Sequence, residues 1–104
     1  MSSFLISSVS PEGSDPVDLL IADGTIVAVG EPASVDAPED TTVVDATGLI
    51  ALPGLVDMHT HLRQPGHEDA ETVDTGTRAA AKGGYTAVIA MANSHPVADT
   101  AGVV

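Results

Sequence analysis

The first half of the chain alternates short apolar runs with turn-forming residues. Phe4-Leu5-Ile6 is a brief run, and Pro11, Gly13 and Pro16 break the chain after it. Val17-Asp18-Leu19-Leu20-Ile21 reads as a strand. Asp23-Gly24 follows, a two-residue hairpin signal, and Thr25-Ile26-Val27-Ala28-Val29 reads as the returning strand, closed by Gly30. A loop rich in Pro and Ala occupies 31–40. Thr41 to Val44 is a further strand, Asp45-Ala46-Thr47-Gly48 a turn, and Leu49-Ile50-Ala51-Leu52 completes the set. Strands and turns at this spacing predict a small antiparallel sheet over residues 1–52.

The pattern changes at Pro53-Gly54. Leu55-Val56-Asp57-Met58 is a short apolar segment running straight into His59-Thr60-His61, and a polar loop containing Pro65-Gly66 spans 62–69. Residues 70–82 predict a helix: Glu71 and Asp74 lie near its start, Arg78 and Lys82 near its end, and Gly83-Gly84 follows. That charge order complements the helix dipole, and glycine is the usual left-handed cap. Val73, Thr77, Ala80 and Ala81 form a weakly apolar stripe. Tyr85 to Met91 is apolar and rich in β-formers, as expected of a fully buried strand. Residues 53–104 therefore read as strand, helix, strand, a unit that implies two parallel strands. One such unit leaves open edges and covers a single face of its sheet, so more chain is expected to complete the fold.

Composition narrows the function classes. Of 104 residues, 43% are hydrophobic, which is not a disordered composition, and only Phe4 and Tyr85 are aromatic, so Val, Leu, Ile and Ala must build any core. Fifteen acidic and three basic residues give a formal net charge of -12. Phosphate binding needs clustered Lys and Arg, so nucleic acid and anionic membrane surfaces are excluded as partners. The acidity reads as a solvated surface or as adaptation to salt. With no cysteine, disulfides and thiolate metal sites are excluded, and any metal would need His and carboxylate ligands. No signal peptide is recognisable in residues 1–10 and no apolar stretch approaches the ~20 residues of a membrane span, so a cytoplasmic location is expected.

Chemistry concentrates around the histidine pair. Residues i and i+2 of a strand share a face, so His59 and His61 would project together from the C-terminal end of an apolar strand. In a βα-barrel that end carries the active site. Two neutral imidazoles so placed suit one shared zinc-like ion, and exposed loop histidines are the alternative. Asp57 shares the face; it either orients an imidazole or bonds backbone at the strand start. Arg63 lies two residues beyond His61, and its planar fork suits a carboxylate; a surface ion pair is the alternative. Asn93 follows the second strand as His59 and Arg63 follow the first, so the two loops open on one rim. Its amide either donates to a substrate carboxylate or carbonyl, or forms a turn. His67 and His95 sit in loops and read as exposed.

The run Pro53-Gly54-Leu55-Val56-Asp57-Met58-His59-Thr60-His61-Leu62-Arg63 resembles the first barrel strand of the amidohydrolase superfamily, and specifically of the dihydroorotases. The likeness continues through Gln64-Pro65-Gly66, Glu71-Thr72, Thr75-Gly76-Thr77 and residues 79–86, then Met91-Ala92-Asn93-Ser94 and Pro96. Asp23-Gly24-Thr25-Ile26 and Val44-Asp45-Ala46-Thr47-Gly48 resemble the small β-sandwich domain that precedes the barrel. The resemblance implies an α/β fold, a (β/α)₈ TIM barrel with a side β-sandwich, of which only the N-terminal part is present. Residues 1–52 would belong to the β-sandwich domain and 53–104 to the first βαβ portion of the catalytic barrel.

The resemblance further implies that His59 and His61 bind metal, zinc (Zn2+) as one or two ions, and that Arg63 and Asn93 hold the substrate's carboxylate. The implied reaction is the reversible cyclisation of N-carbamoyl-L-aspartate to (S)-dihydroorotate in pyrimidine biosynthesis. The partner is thus a small molecule, with a homodimer or an association with aspartate carbamoyltransferase as implied assemblies. Gln64 stands where many relatives have Glu, and Ala92-Asn93-Ser94 where Pro-Asn-Thr is usual; neither removes a residue given a role. The general base and the remaining ligands are expected beyond Val104, so the 104 residues alone are expected to be inactive. An allantoinase or dihydropyrimidinase is the alternative within cyclic-amide hydrolases; Arg63 with Asn93 argues for a substrate bearing a carboxylate. A non-catalytic dihydroorotase-like subunit is the alternative outside enzymes, and it would be expected to lose the histidine pair that this chain keeps.

Overall fold

The computed structural model describes residues 2–104. They divide into two compact units, Met1–Leu52 and Pro53–Val104.

The first unit is a mixed sheet. Its spine is β1 (Ser3–Pro11), flanked on one side by β2 (Val17–Ala22) and then β3 (Thr25–Gly30), both antiparallel to their neighbours. The β2–β3 turn is the expected Asp23-Gly24 hairpin: φ is 48° and 77°, the pair of left-handed residues that a type I′ turn requires. The other side of β1 departs from the antiparallel expectation. β4 (Thr42–Asp45) runs parallel to its first half and β5 (Ile50–Ala51) parallel to its second. The intervening β2–β3 hairpin and the 31–40 loop act as the crossover that parallel pairing needs. A bulge at Ser8, with φ of 57°, separates the two halves of β1.

That bulge explains a buried charge. Asp18 is only 2% exposed. One carboxylate oxygen accepts from the Ser8 N–H and the other from the Ala33 N–H, each at 2.9 Å. Ser8 and Ala33 are both non-glycine residues at positive φ, so one side chain fastens two strained turns. The Ser8 and Ala33 amides hold the Asp18 carboxyl below its ordinary range. Val9, Leu20 and Ala46 are the buried hydrophobic residues among those described. In the Asp45-Ala46-Thr47-Gly48 turn, Asp45 accepts from the Thr47 hydroxyl at 2.6 Å and its N–H at 3.0 Å, and Gly48 takes φ of 80°.

The second unit is β6 (Leu55–Thr60), α1 (Val73–Lys82) and β7 (Tyr85–Ala90), with β6 and β7 parallel. The helix begins three residues later than residue 70, because Thr72 caps it. Thr72 and Thr75 exchange side chain-to-backbone bonds, and the Gln64 amide oxygen accepts from the Val73 N–H at 2.8 Å. Gly83 ends the helix and Gly84 turns left-handed, with φ of 91°. Among the described residues Gly76 is the one buried residue of the helix; a Cβ there would meet the Glu71 carboxylate at 2.6 Å and Leu62 at 2.9 Å.

β7 is not the fully buried strand expected from its apolar run. Ile89 is 49% exposed, and on β6 Val56 and Met58 are 59% and 71% exposed. Among the described residues each of these strands has a single strand partner, and β7 is the one strand that α1 packs on. Apolar character records a preference for burial; burial itself requires neighbours on both faces. Among the described residues no helix is long and apolar enough to cross a membrane.

Candidate metal and carboxylate site

β6 delivers His59 in its last turn of pleat and His61 one residue past its end. The rings meet edge to face, centroids 5.1 Å apart and planes inclined by 61°. Their Nε2 atoms approach to 3.2 Å. Two nitrogens at about 2.0–2.1 Å from one tetrahedral ion would stand roughly 3.3 Å apart, so the donor pair fits a single such cation. Two imidazoles fill only half of that coordination sphere. Among the described residues no group of three or more His, Asp or Glu is placed to hold a metal.

The rim around the pair is tied by the two strands' parallel register. Thr60 lies opposite Ala90, the Met91 N–H donates to the Thr60 carbonyl at 2.8 Å, and the His95 N–H donates to the Pro65 carbonyl at 2.9 Å. Gly66, at φ of 116°, sits so close to His95 that a Cβ would lie 2.9 Å from its carbonyl oxygen. This brings the loop after β7 onto the loop after β6. Asn93 thereby reaches the histidines: its Oδ1 is 2.9 Å from His61 Nδ1.

The remaining candidates separate. Asp57 accepts from the His59 backbone N–H at 3.0 Å, so it braces the chain below the pair, and among the described residues it makes no hydrogen bond to an imidazole. Arg63, two residues past His61 in the chain, is exposed, and among the described residues its guanidinium is in no ion pair. His67 and His95 are exposed. Glu68 turns back onto the Gly66 N–H at 3.0 Å, which holds its carboxyl below the usual range. Sequence reasoning missed Gln64 as the acceptor at the helix start, although its place before an unfilled first turn was a signal. A neighbouring cleft of about 570 Å³, lined by Leu62, Pro65, Val73, Met91 and Ala98 among others, contains none of His59, His61, Arg63 and Asn93. Its lining is mostly apolar and includes no basic side chain, so it does not suit a carboxylate.

A sequence model described as dihydro-orotase-like matches residues 48–103, more than half of the chain. The chain belongs to the dihydroorotase-like family. Curated relatives named dihydroorotase agree: the chain is 62% identical to that of Streptomyces coelicolor over all of its own length and 24% of the relative's. It is 58% identical to that of Leifsonia xyli, covering 97% of this chain and 22% of that one. It is 54% identical to that of Mycobacterium tuberculosis, covering 94% and 23%. The chain thus spans about a quarter of the length of these dihydroorotases. Among solved structures it is similar to the N-isopropylammelide isopropylaminohydrolase of Burkholderia multivorans, with a TM-score of 0.54 and 30% identity over 81% of this chain and 23% of that one.

Proposed function

We propose that this chain supplies the first part of a dihydroorotase, a (β/α)₈ barrel enzyme with a side β-sandwich that interconverts (S)-dihydroorotate and N-carbamoyl-L-aspartate. The observation that carries it is the convergence of the His59 and His61 Nε2 atoms at 3.2 Å, with Asn93 Oδ1 at 2.9 Å from His61 Nδ1; Arg63 follows two residues along the chain. In this reading His59 and His61 hold zinc. When bound, zinc would supply an activated water for attack on the ring amide. Arg63 offers a planar pair of N–H donors to the substrate carboxylate, and the Asn93 amide offers its NH2 to the same group. The two side chains would thereby fix which face and which end of the ring meets the histidine pair, converting binding into orientation.

Hydrolysis of dihydroorotate by the full-length enzyme tests this. Activity should vanish with chelator and return with Zn2+, and Arg63→Met should raise KM by at least tenfold. Activity that survives both His59→Ala and His61→Ala would sink the assignment.

A further inference from the structure

Asn93 presents an oxygen, not its NH2, to the His61 ring. An amide oxygen only accepts, so the 2.9 Å contact to Nδ1 requires that nitrogen to carry the hydrogen. A neutral imidazole has one N–H. With it on Nδ1, the Nε2 lone pair of His61 is left bare, and that atom faces His59 Nε2. The reverse amide orientation would leave Nε2 protonated and pointing at its neighbour, closing the gap to any cation.

His59 differs. Among the described residues its Nδ1 has no side-chain partner, so no second contact fixes which of its nitrogens carries the hydrogen. One ring is therefore locked in a ligand-ready form and the other is free to shift its proton.

We propose that Asn93 is a positioning residue that fixes the tautomer of His61 through its oxygen while its NH2 stays available to an anionic substrate group. This rests on the dihydroorotase reading only for the identity of that group and of the cation. The amide holds both jobs because its ends have opposite polarity, and pinning the oxygen aims the two N–H donors away from the ring. Metal-ligand geometry and carboxylate recognition are thus joined in one side chain. The juxtaposition comes from the β6–β7 register, which sets residues 32 apart in sequence side by side.

Imidazole nitrogen NMR on the metal-free full-length protein at a pH where the rings are neutral tests the tautomer directly, with His61→Gln assigning the signal and His67→Ala as control. In the wild type His61 should show a protonated Nδ1 and a bare Nε2. Asn93→Ala should move it toward the Nε2–H form that an unconstrained imidazole prefers. Asn93→Asp, which keeps an oxygen acceptor, should restore the wild-type pattern. Zinc affinity should fall about tenfold or more in Asn93→Ala and stay within a few-fold in Asn93→Asp. A wild-type His61 protonated on Nε2, or a tautomer indifferent to all Asn93 variants, overturns the proposal. Should the wild type show the expected tautomer yet bind no zinc, the positioning role stands and the metal assignment falls.

Discussion

Gly54 is the position where one methyl group should matter most for the site. It precedes β6 and faces Thr86 on β7. An alanine Cβ there would lie 2.0 Å from Thr86 Cγ2, 2.4 Å from its Oγ1 and 2.7 Å from its Cβ. Ordinary carbon contacts begin near ~3.5 Å. Rotating Thr86 does not relieve the overlap, since its own Cβ is already too close and a β-branched residue has few alternative rotamers. The strands must separate instead. Overpacking of this kind costs about 1–3 kcal/mol, and the need for backbone movement puts Gly54→Ala at about 2–3 kcal/mol. Amide hydrogen exchange reads this locally: protection across β6 and β7 should fall roughly 30-fold to 150-fold, at ~1.4 kcal/mol per factor of ten. Amides of β1 and β2 serve as the internal reference and should not change. Adding Thr86→Gly should return much of the loss as a positive coupling between the two positions. Protection that stays within about threefold of wild type, or that drops equally in both units, would refute the steric reasoning. The same separation should stretch the His61–Asn93 bond, because its two ends sit in the loops that follow the two strands.

Acid should weaken the first unit through Asp18 and Asp45, and the rim loop through Glu68. All three carboxyls are held below their ordinary values, Asp18 by the Ser8 and Ala33 N–H groups, Asp45 by Thr47 and Glu68 by the Gly66 N–H. A depressed folded pKa adds stability that is complete above the unfolded value, 3.8 for the aspartates, and is lost as pH falls through the folded one. Urea midpoints should therefore be flat near neutrality and fall below about pH 4, with a shallower fall in Asp18→Asn; equal slopes would remove Asp18 from the account. Thr60→Val should stabilise the second unit by about 1 kcal/mol, because among the described residues the buried Thr60 hydroxyl has no hydrogen-bond partner and the swap preserves shape; a lowered thermal midpoint would mean the hydroxyl is satisfied after all.

Local chemistry was the most legible part of the sequence. Asp23-Gly24 announces its hairpin because few other dipeptides tolerate two left-handed residues in succession. The helix and its glycine stop, and the parallel β6–β7 pair, follow from period and punctuation. Pairing partners were not legible. β1 has the same alternating pattern whether its neighbour runs up or down, so the parallel β4 and β5 went unread, as did the bulge at Ser8 that divides them. Asp18 looked like an ordinary strand residue, since its acceptors' partners lie 10 and 15 residues away. At the site, the period-two rule brings the rings of His59 and His61 together on its own. From spacing alone Asn93 reads as a turn former ahead of an amide donor. Its contact with His61 depends on the register of two strands, which no single-strand pattern encodes.

The chain carries one tyrosine and no tryptophan. Tyr85 opens β7 opposite Leu55, inside the second unit. Ultraviolet emission excited above the phenylalanine band therefore comes from that unit alone, while far-ultraviolet dichroism sums over every strand of both. Two optical channels that superimpose during denaturation mark a single cooperative molecule, and two that part company time the opening of the histidine-bearing half by itself.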